Sequence, residues 1–177
     1  MTGTGFTADG ALLHESRQQW GVHGLRMRLH ACAVLPDAQL ITSVRAVVFR
    51  GPSVVVVSAD GERHVMPGGR LEPGEALEDA LRRELMEECG WTVGEPRLLA
   101  LLHYHHLTPR PEGHPYPYPD FLQPIFLAEA RAYDRRGLKR AGEIETGARL
   151  MRPRAAMSAL REDQQALLRT ALAARNT

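Results

Sequence analysis

GRLEPGEALEDALRRELMEECGW, residues Gly69–Trp91, is the stretch from which the rest of the sequence can be interpreted. It begins with a turn at residues 72–75, where Pro and Gly favour a change of chain direction. Apolar residues then recur at helical spacing, at Leu77, Ala80, Leu81 and Leu85. Gly90 suits the left-handed position that follows a helix. The pattern therefore predicts a helix that begins near Glu75 and ends at Gly90.

One turn of this predicted helix carries three carboxylates. Glu84, Glu87 and Glu88 stand at positions i, i+3 and i+4, so their side chains are neighbours. With about 100° of rotation per residue, they crowd the edge of the apolar stripe instead of lying opposite it. Repulsion among carboxylates there calls for a compensating cation, and oxygen ligands suit Mg²⁺ or Mn²⁺. The alternative is an ordinary solvated face, which charge runs usually form.

The spacing of these residues resembles the Nudix box, G-x5-E-x7-R-E-U-x-E-E-x-G-U, in which U is a bulky apolar residue. The matching residues are Gly69, Glu75, Arg83, Glu84, Leu85, Glu87, Glu88, Gly90 and Trp91, and they fill every specified position. The preceding residues 66–68, Met-Pro-Gly, are similar to the family's usual approach to the box. The resemblance implies an α+β fold, the Nudix α/β/α sandwich, with a mixed β-sheet between helices.

The resemblance also implies an activity. Nudix hydrolases cleave a nucleoside diphosphate linked to another moiety by attack of water on phosphorus, and their substrates include nucleotide sugars, ADP-ribose, dinucleotides and nucleoside triphosphates. The residues that match the family's metal ligands are Glu84, Glu87 and Glu88, joined by the backbone carbonyl of Gly69 or Gly68. The cofactor implied is Mg²⁺, or Mn²⁺ in its place.

Other residues receive catalytic roles from the same resemblance. Arg83 would hold the helix glutamates and Glu75 in place, since a guanidinium group can bind carboxylates through two hydrogen bonds. Glu84 is the first candidate for the base that accepts the proton of the attacking water. Glu145, or Glu143, is the second, because relatives often supply a ligand or base before the last strand. The alternative for these two is a solvated loop acid.

Two other functions are compatible with such a fold. A non-catalytic regulatory module would sense a nucleotide without cleaving it, but such modules usually carry a degraded box and this box is intact. Isoprenoid diphosphate isomerisation would need a paired Cys/Glu arrangement, which neither terminal stretch shows. The intact box therefore favours a hydrolase.

Hydrophobic patterns on either side of the box predict the remaining elements. Strands are expected from Leu25 onward and at Ser43–Phe49, Ser53–Ser58, Glu62–Met66, Thr92–Leu102, Phe121–Ala130 and Glu145–Met151. An amphipathic helix is expected at Ser158–Arg175 and a short helix at Ala11–Trp20. Residues 1–24 are interpreted as an N-terminal extension and residues 25–177 as a single Nudix hydrolase domain.

The segment Thr108–Pro119 contains five prolines and is predicted to be a loop. Tyr116 and Tyr118 offer faces on which a nucleobase could stack, and they are the predicted substrate residues. The Pro-aromatic-Pro-aromatic-Pro order is similar to a signature of NADH-cleaving Nudix enzymes, although the tryptophan and the flanking Ser-Gln of that signature are missing. A stiff, partly buried loop without a ligand is the alternative.

Three histidines, His103, His105 and His106, follow the box in a predicted strand region. Zinc could use them, but no cysteine or second ligand pair stands at a matching spacing. A position at the surface or at the rim of a substrate site is the favoured interpretation.

Composition limits the remaining classes. The 177 residues include 22 Lys or Arg and 21 Asp or Glu, and this net charge of +1 argues against a general nucleic-acid partner. Two cysteines cannot form a disulfide framework. No apolar run approaches the ~20 residues that span a membrane. The N-terminus lacks a signal-peptide pattern. We expect a cytoplasmic protein with a nucleotide-derived small molecule as its partner. A homodimer stays open, because dimers are frequent in the Nudix family.

Overall fold

The computed structural model describes residues 10–59, 61–110, 112–138 and 147–176. Its strands are β1 (Leu12–Trp20), β2 (His23–Ala31), β3 (Ser43–Arg50), β4 (Ser53–Ala59), β5 (Glu62–His64), β6 (Gly68–Arg70), β7 (Trp91–Val93), β8 (Arg97–His106), β9 (Asp120–Tyr133) and β10 (Gly147–Met151). Its helices are α1 (Leu77–Cys89), α2 (Pro153–Met157) and α3 (Glu162–Arg175).

The strands join in a mixed sheet in the order β1-β2-β8-β9-β3-β4-β10, with β5, β6 and β7 pairing with β4, β3 and β9. Strands β3 and β9 run parallel, whereas β8 and β9 pair antiparallel. Strand β6 pairs antiparallel with the first half of β3, from Ser43 to Arg45. This pairing places Gly68 and Gly69, at the start of the box, beside Arg45 and Val44 of β3.

Helices cover both faces of the sheet. Successive residues of β3 point to opposite faces, so Val44, Ala46 and Val48 pack with α1 on one side. Val47 and Phe49 belong to the core on the other side, with Leu167 and Leu168 of α3. Burial on both faces explains why β3 reads as a run of β-branched residues. The predicted α+β fold, with a mixed sheet between helices, is confirmed.

The box helix ends where the sequence predicts and begins two residues after Glu75. Gly90 has φ of +70°, and its N–H donates to the Met86 carbonyl at 3.0 Å. Tyr133 and the Asp134 carbonyl lie so close that a Cβ at Gly90 would contact them at 2.8 and 3.3 Å. A glycine therefore satisfies both the backbone conformation and the packing at this helix end.

The predicted short helix at Ala11–Trp20 is wrong, because residues 12–20 form the edge strand β1. Leu, Glu, Arg and Gln favour a helix. The strand is partly exposed, so its sequence lacks the regular alternation of apolar and polar residues that is typical of a half-buried strand. Pairing with β2 from Leu12 to Trp20 overrides that propensity. The division between residues 24 and 25 stays a prediction.

Several other elements differ from their predicted bounds, and β5 ends at His64 instead of Met66 while β9 extends to Tyr133 instead of Ala130. The stretch Thr92–Leu102 is divided between β7 and β8, since Gly94 and Pro96 interrupt the strand. The C-terminal helix begins at Glu162 instead of Ser158, after the separate short helix α2. Pro153 at the first turn of α2 accounts for that extra element, as proline is well tolerated there. In the described ranges, no helix is long and apolar enough to cross a membrane.

Candidate active site

The carboxylates of α1 lie directly against the backbone of β6. The Gly68 N–H donates to Glu88 Oε2 at 2.9 Å. A Cβ atom at Gly69 would lie 2.4 Å from the carboxyl carbon of Glu84. Gly68 has φ of +139°, and a Cβ there would lie 2.2 Å from the Val44 carbonyl oxygen. The two glycines thus allow α1 and β3 to approach the same short strand from opposite sides.

Arg83 holds three of the carboxylates together. Its Nε and Nη2 donate to the two oxygens of Glu75, each at 2.8 Å. Its Nη1 donates to Glu84 Oε1 at 2.7 Å and lies 3.5 Å from Glu87 Oε2. The Arg83 hydrogen bonds lower the pKa of Glu75 to about 2, and the reciprocal effect raises the pKa of Arg83. Arg83 therefore has the orienting position that the sequence predicts, with its planar group satisfied on both edges.

Glu88 is a partly buried acid of α1. Burial raises the pKa of its carboxyl group, while the Gly68 N–H and Arg45 act in the opposite direction. Its neighbours Glu84 and Glu87 add to the upward shift. A carboxylate in this position gains from any additional cation.

We call Glu75, Glu84, Glu87 and Glu88 the carboxylate cluster. The guanidinium groups that contact it or lie beside it belong to Arg83 and Arg45, so the described cluster retains two negative charges more than positive ones. Several carboxylate oxygens and nearby backbone carbonyls form the donor set that Mg²⁺ and Mn²⁺ prefer. The residues present therefore fit a divalent metal. Because Gly69 has no Cβ, the Glu84 carboxyl group can lie against the backbone of β6.

The sequence analysis did not identify Arg45 as part of this site. Its Nη1 donates to the Gly68 carbonyl at 2.8 Å, and its Nε donates to Gln123 Oε1 at 3.4 Å. A sequence signal was present, since Arg45 is a charged residue within the buried β-branched run of β3. Such a residue requires polar partners, and here they are the backbone of β6 and an amide of β9.

The predicted base at Glu145, with its neighbour Glu143, lies outside the described residues. The two predicted substrate tyrosines have different surroundings. Tyr116 lines a cavity of about 200 Å³, with the Arg70 guanidinium 5.1 Å from its ring centre. Tyr118 donates its hydroxyl to the Thr108 carbonyl and is absent from the cavity lining. The loop thus presents one tyrosine to the cavity and uses the other to hold its own two ends together.

The three predicted histidines also separate. His106 is buried and lines the same cavity as Tyr116, and its position at the rim of a substrate site stays a prediction. His103 Nε2 and His105 Nδ1 lie 2.6 and 2.8 Å from Asp120 Oδ1. Burial acts to raise the pKa of Asp120, but the hydrogen bonds with the two histidines lower it overall. The donor atoms of these three residues lie within 4.8 Å of one another, close enough for one metal ion to contact all of them.

The geometry of the box can now be set beside known proteins. The family model of the NUDIX domain matches residues 40–171. The chain belongs to the NUDIX domain family. This confirms the family predicted from the box, and the matched region contains the carboxylate cluster, α1 and most of the sheet. Strand β1 and strand β2 precede it.

Among curated NUDIX relatives, the NAD-capped RNA hydrolases NudC of Salmonella agona (strain SL483) and Klebsiella pneumoniae (strain 342) are 27% and 26% identical over 123 residues. The aligned region is 68% of this chain and 41% of each relative. The chain therefore spans less than half the length of the curated relatives that it matches. Both relatives are hydrolases by name, as the sequence predicts for this chain.

Solved NUDIX structures share the fold. A NUDIX hydrolase from Nitrosomonas europaea superposes with a TM-score of 0.56 and 20% identity, covering 76% of this chain and 88% of that one. A point mutant of the Bacillus subtilis pyrophosphohydrolase BsRppH gives a TM-score of 0.53 and 20% identity, covering 78% and 77%. These similarities confirm the α+β Nudix architecture.

Proposed function

We propose that this chain is a metal-dependent pyrophosphohydrolase that cleaves a nucleoside diphosphate linked to another moiety by attack of water on phosphorus. The observation that carries the proposal is the carboxylate cluster, with Arg83 bound to Glu75 through two hydrogen bonds and to Glu84 through a third. A structural ion pair would need only one of these acids. The cluster contains more carboxylates than guanidinium groups, and the lack of a Cβ at Gly69 leaves space for the Glu84 carboxyl group.

The proposed metal ligands are Glu84, Glu87 and Glu88, with a backbone carbonyl of β6. Of the two candidate carbonyls we retain Gly69, because the Gly68 carbonyl already accepts a hydrogen bond from Arg45. Bound Mg²⁺ or Mn²⁺ would polarise phosphoryl oxygens, screen the diphosphate charge and lower the pKa of a water molecule.

Glu84 is the proposed general base, since it lies beside Gly69 at the edge of the cluster and its side chain is 14% exposed. The hydrogen bond from Arg83 Nη1 occupies Oε1, which leaves Oε2 to accept a proton from water. Arg83 is a positioning residue in this scheme, because it contacts Glu84 and Glu75 instead of the reacting atoms. Glu145 stays the second proposed base, on the sequence argument alone.

The curated relatives support the substrate class. They are named for NAD-capped RNA, and NAD itself contains a diphosphate between two nucleosides, so the bond type agrees with the proposal. Nucleotide sugars, ADP-ribose, dinucleotides and nucleoside triphosphates all stay within the proposed class. We further propose a cytoplasmic enzyme acting on a small molecule, with Tyr116 contacting the substrate and Tyr118 supporting that loop. Its assembly as a homodimer is left open.

A substrate panel tests the proposal. The purified chain is incubated with Mg²⁺ or Mn²⁺ and nucleotide sugars, ADP-ribose, dinucleoside polyphosphates, NADH and nucleoside triphosphates, and product release is measured. We expect metal-dependent hydrolysis of at least one, abolished by Glu87→Gln and by Glu88→Gln. Glu78→Gln is the matched control, because Glu78 lies on the same helix with a half-exposed side chain. Binding of a nucleotide without any turnover would instead favour a sensing module.

A further inference from the structure

Two histidines of β8 and one aspartate of β9 form a group that the proposed function does not use. His103 Nε2 lies 2.6 Å and His105 Nδ1 lies 2.8 Å from Asp120 Oδ1. The donor atoms of the three residues all lie within 4.8 Å of one another. We call these three residues the His-Asp cluster. It shares no residue with the carboxylate cluster, so its chemistry needs a separate explanation.

The pairing of β8 with β9 brings the three side chains together. His103 and His105 are two residues apart on one strand, so their side chains point to the same face of the sheet. Asp120 is the register partner of His105, and directly opposed side chains of a strand pair are neighbours. The residues that alternate with the histidines, Leu102 and Tyr104, belong to the core on the α3 side. The His-Asp cluster therefore lies on the other face of the sheet.

The members of the His-Asp cluster differ in their exposure to solvent. The side chains of His103 and Asp120 are 6% and 14% exposed, whereas that of His105 is 38% exposed. An ion can therefore reach the cluster from solvent at His105 while the other two side chains stay shielded. Ligands held on paired strands, together with an entry path, are what a metal site requires.

The protonation state of the His-Asp cluster suits a metal ion. Burial acts to raise the pKa of Asp120, but the hydrogen bonds with His103 and His105 lower it overall, so Asp120 is a carboxylate at neutral pH. A charged carboxylate only accepts hydrogen bonds, so both histidines donate an N–H to the same oxygen. When the proton of a neutral imidazole moves to its other nitrogen, the nitrogen that faces Asp120 can bind a metal ion instead. Metal binding then needs a change of tautomer in each ring and no new ligand.

The donor atoms select the class of metal. Imidazole nitrogen suits Zn²⁺, Cu²⁺, Fe²⁺ and Ni²⁺, whereas Mg²⁺ takes oxygen ligands. Arg26 and Arg28 of β2 are the register partners of His105 and His103. Arg28 is paired with Glu15 of β1, but Arg26 adds a positive charge to this face, which disfavours a cation held by charge alone. A metal that forms strong bonds to imidazole is therefore better suited than Mg²⁺ to this site.

We infer that His103, His105 and Asp120 bind a divalent transition metal of the Zn²⁺ type, with water in the remaining coordination position. Three protein ligands and one water are typical of an open zinc site. Bonds of about 2.0–2.2 Å place the ligand atoms of a tetrahedral ion roughly 3.3 Å apart. Each imidazole ring therefore moves away from Asp120 by roughly 0.5–0.7 Å when the ion enters.

The site lies where the Thr108–Pro119 loop leaves and re-enters the sheet. His105 is the penultimate residue of β8, and Asp120 is the first residue of β9. A metal ion that joins them fixes the two ends of the loop that carries Tyr116. The proposed role is therefore structural, and it does not depend on the proposed function.

Calorimetric titration with Zn²⁺ in excess Mg²⁺ tests the site, because Mg²⁺ competes for the carboxylate cluster and not for imidazole. The chain is first freed of metal with a chelator, which is then removed. We expect wild type to bind one equivalent of Zn²⁺. The affinity should fall at least about 100-fold in His105→Gln, since even outer partners of a metal site contribute about 10–100-fold.

The glutamine variant separates a metal ligand from a packing role. Its amide can still donate a hydrogen bond to Asp120, so His105→Gln removes a ligand while a hydrogen bond remains possible. His14→Gln is the matched control, because His14 is a partly buried histidine of β1 outside the His-Asp cluster. It should bind Zn²⁺ as tightly as wild type. Equal Zn²⁺ affinity of wild type and His105→Gln would overturn the inference.

Thermal unfolding gives a second measurement that needs no activity. Free Zn²⁺ at about 100 times its Kd for wild type should raise the Tm of wild type by roughly 5–10 °C. The same Zn²⁺ concentration should raise the Tm of His105→Gln or Asp120→Asn by less than about 2 °C. A wild-type Tm that does not respond to Zn²⁺ would overturn the inference.

Zn²⁺ binding can be separated from hydrolysis. Glu88→Gln should abolish hydrolysis and keep the wild-type affinity for Zn²⁺. Zn²⁺ binding that is lost in Glu88→Gln and retained in His105→Gln would overturn the inference, because it would assign the ion to the carboxylate cluster. A chain that binds Zn²⁺ through His105 but hydrolyses no substrate would support the inference and refute the pyrophosphohydrolase.

Discussion

The two faces of the central sheet differ in how their titratable side chains are accommodated. On the α1 face, Arg83 donates hydrogen bonds to the partly buried carboxylates of Glu75 and Glu84 and lowers the pKa of Glu75, and the cluster contains more carboxylates than guanidinium groups. On the α3 face, burial lowers the pKa of His64 to about 4 and also lowers that of His106. The first arrangement suits a divalent cation, whereas the second disfavours an added positive charge.

Replacing the proposed base is the strongest way to break this contrast. Glu84→Gln keeps the size of the side chain and removes its proton-accepting carboxylate, so we expect kcat to fall by about 10²–10⁴-fold. Steady-state kinetics measures the change, with Glu78→Gln on the same helix as the control. An unchanged kcat would contradict the role of Glu84 as the base.

Adding one methyl group to β6 tests how closely the α1 face is packed. A Cβ at Gly69 would lie 2.4 Å from the Glu84 carboxyl carbon, so Gly69→Ala must displace that side chain. A shift of about 1 Å in a catalytic group can cost about 10²-fold in rate, and we expect a loss of this order in kcat. Gly147→Ala is the control, because nothing lies within 4 Å of its added Cβ. Equal activity of the two variants would contradict a role for the close approach of the Glu84 side chain to Gly69.

Weakening the interaction between Arg83 and Glu75 should lower activity less than Gly69→Ala does. Glu75→Gln removes the charged acceptor of the two-point bond, and loss of such a supporting group typically costs 10–100-fold in metal affinity or activity. We expect a higher Mg²⁺ concentration for half-maximal rate, which excess Mg²⁺ partly restores. Glu72→Gln is the control, since that side chain is 67% exposed and 3.9 Å from Arg83. A rate loss that Mg²⁺ does not alter would argue against positioning.

His64 tests the opposite face through stability, with no change in turnover at neutral pH. Burial and the nearby Arg45 and Arg161 lower its pKa from 6.5 to about 4 in the folded chain. The unfolded chain therefore takes up the proton first, and stability present above pH 6.5 is lost as the pH falls towards 4. Between pH 6.5 and 5 this loss is about 2 kcal/mol, at about 1.4 kcal/mol per pH unit.

The measurement is urea unfolding of wild type and His64→Gln at both pH values. We expect the variant to lose about 2 kcal/mol less than wild type. Identical pH dependence of wild type and His64→Gln would show that His64 is not held neutral by the fold.

The contrast between the faces also explains what the sequence could predict. The ligands on α1 are adjacent in sequence, and helical periodicity alone brings Glu84, Glu87 and Glu88 together. Arg83 and Glu75 are eight residues apart and belong to the same box. The fold class followed from the resemblance of this box to the Nudix family, and Gly90 marked the end of its helix.

The surroundings of Tyr116 could not be predicted in this way. Trp20, Arg70 and Tyr116 come from β1, β6 and a loop, and they line one cavity only in the folded chain. The polar edge strand β1 resembles a helix in composition, so its pairing with β2 could not be inferred from the local sequence. Arg45 shows a different kind of signal, because a charge within a buried strand needs distant partners.

Hydrolysis in ¹⁸O-labelled water tests the central claim most directly. ADP-ribose or another cleaved substrate is incubated with Mg²⁺ and wild type or Glu88→Gln, and the products are analysed by mass spectrometry. Attack of water on phosphorus predicts one ¹⁸O atom in one of the two phosphate products, no reaction without metal, and none with Glu88→Gln. Product formed without metal, product unaffected by Glu88→Gln, or label absent from both phosphates would contradict the account.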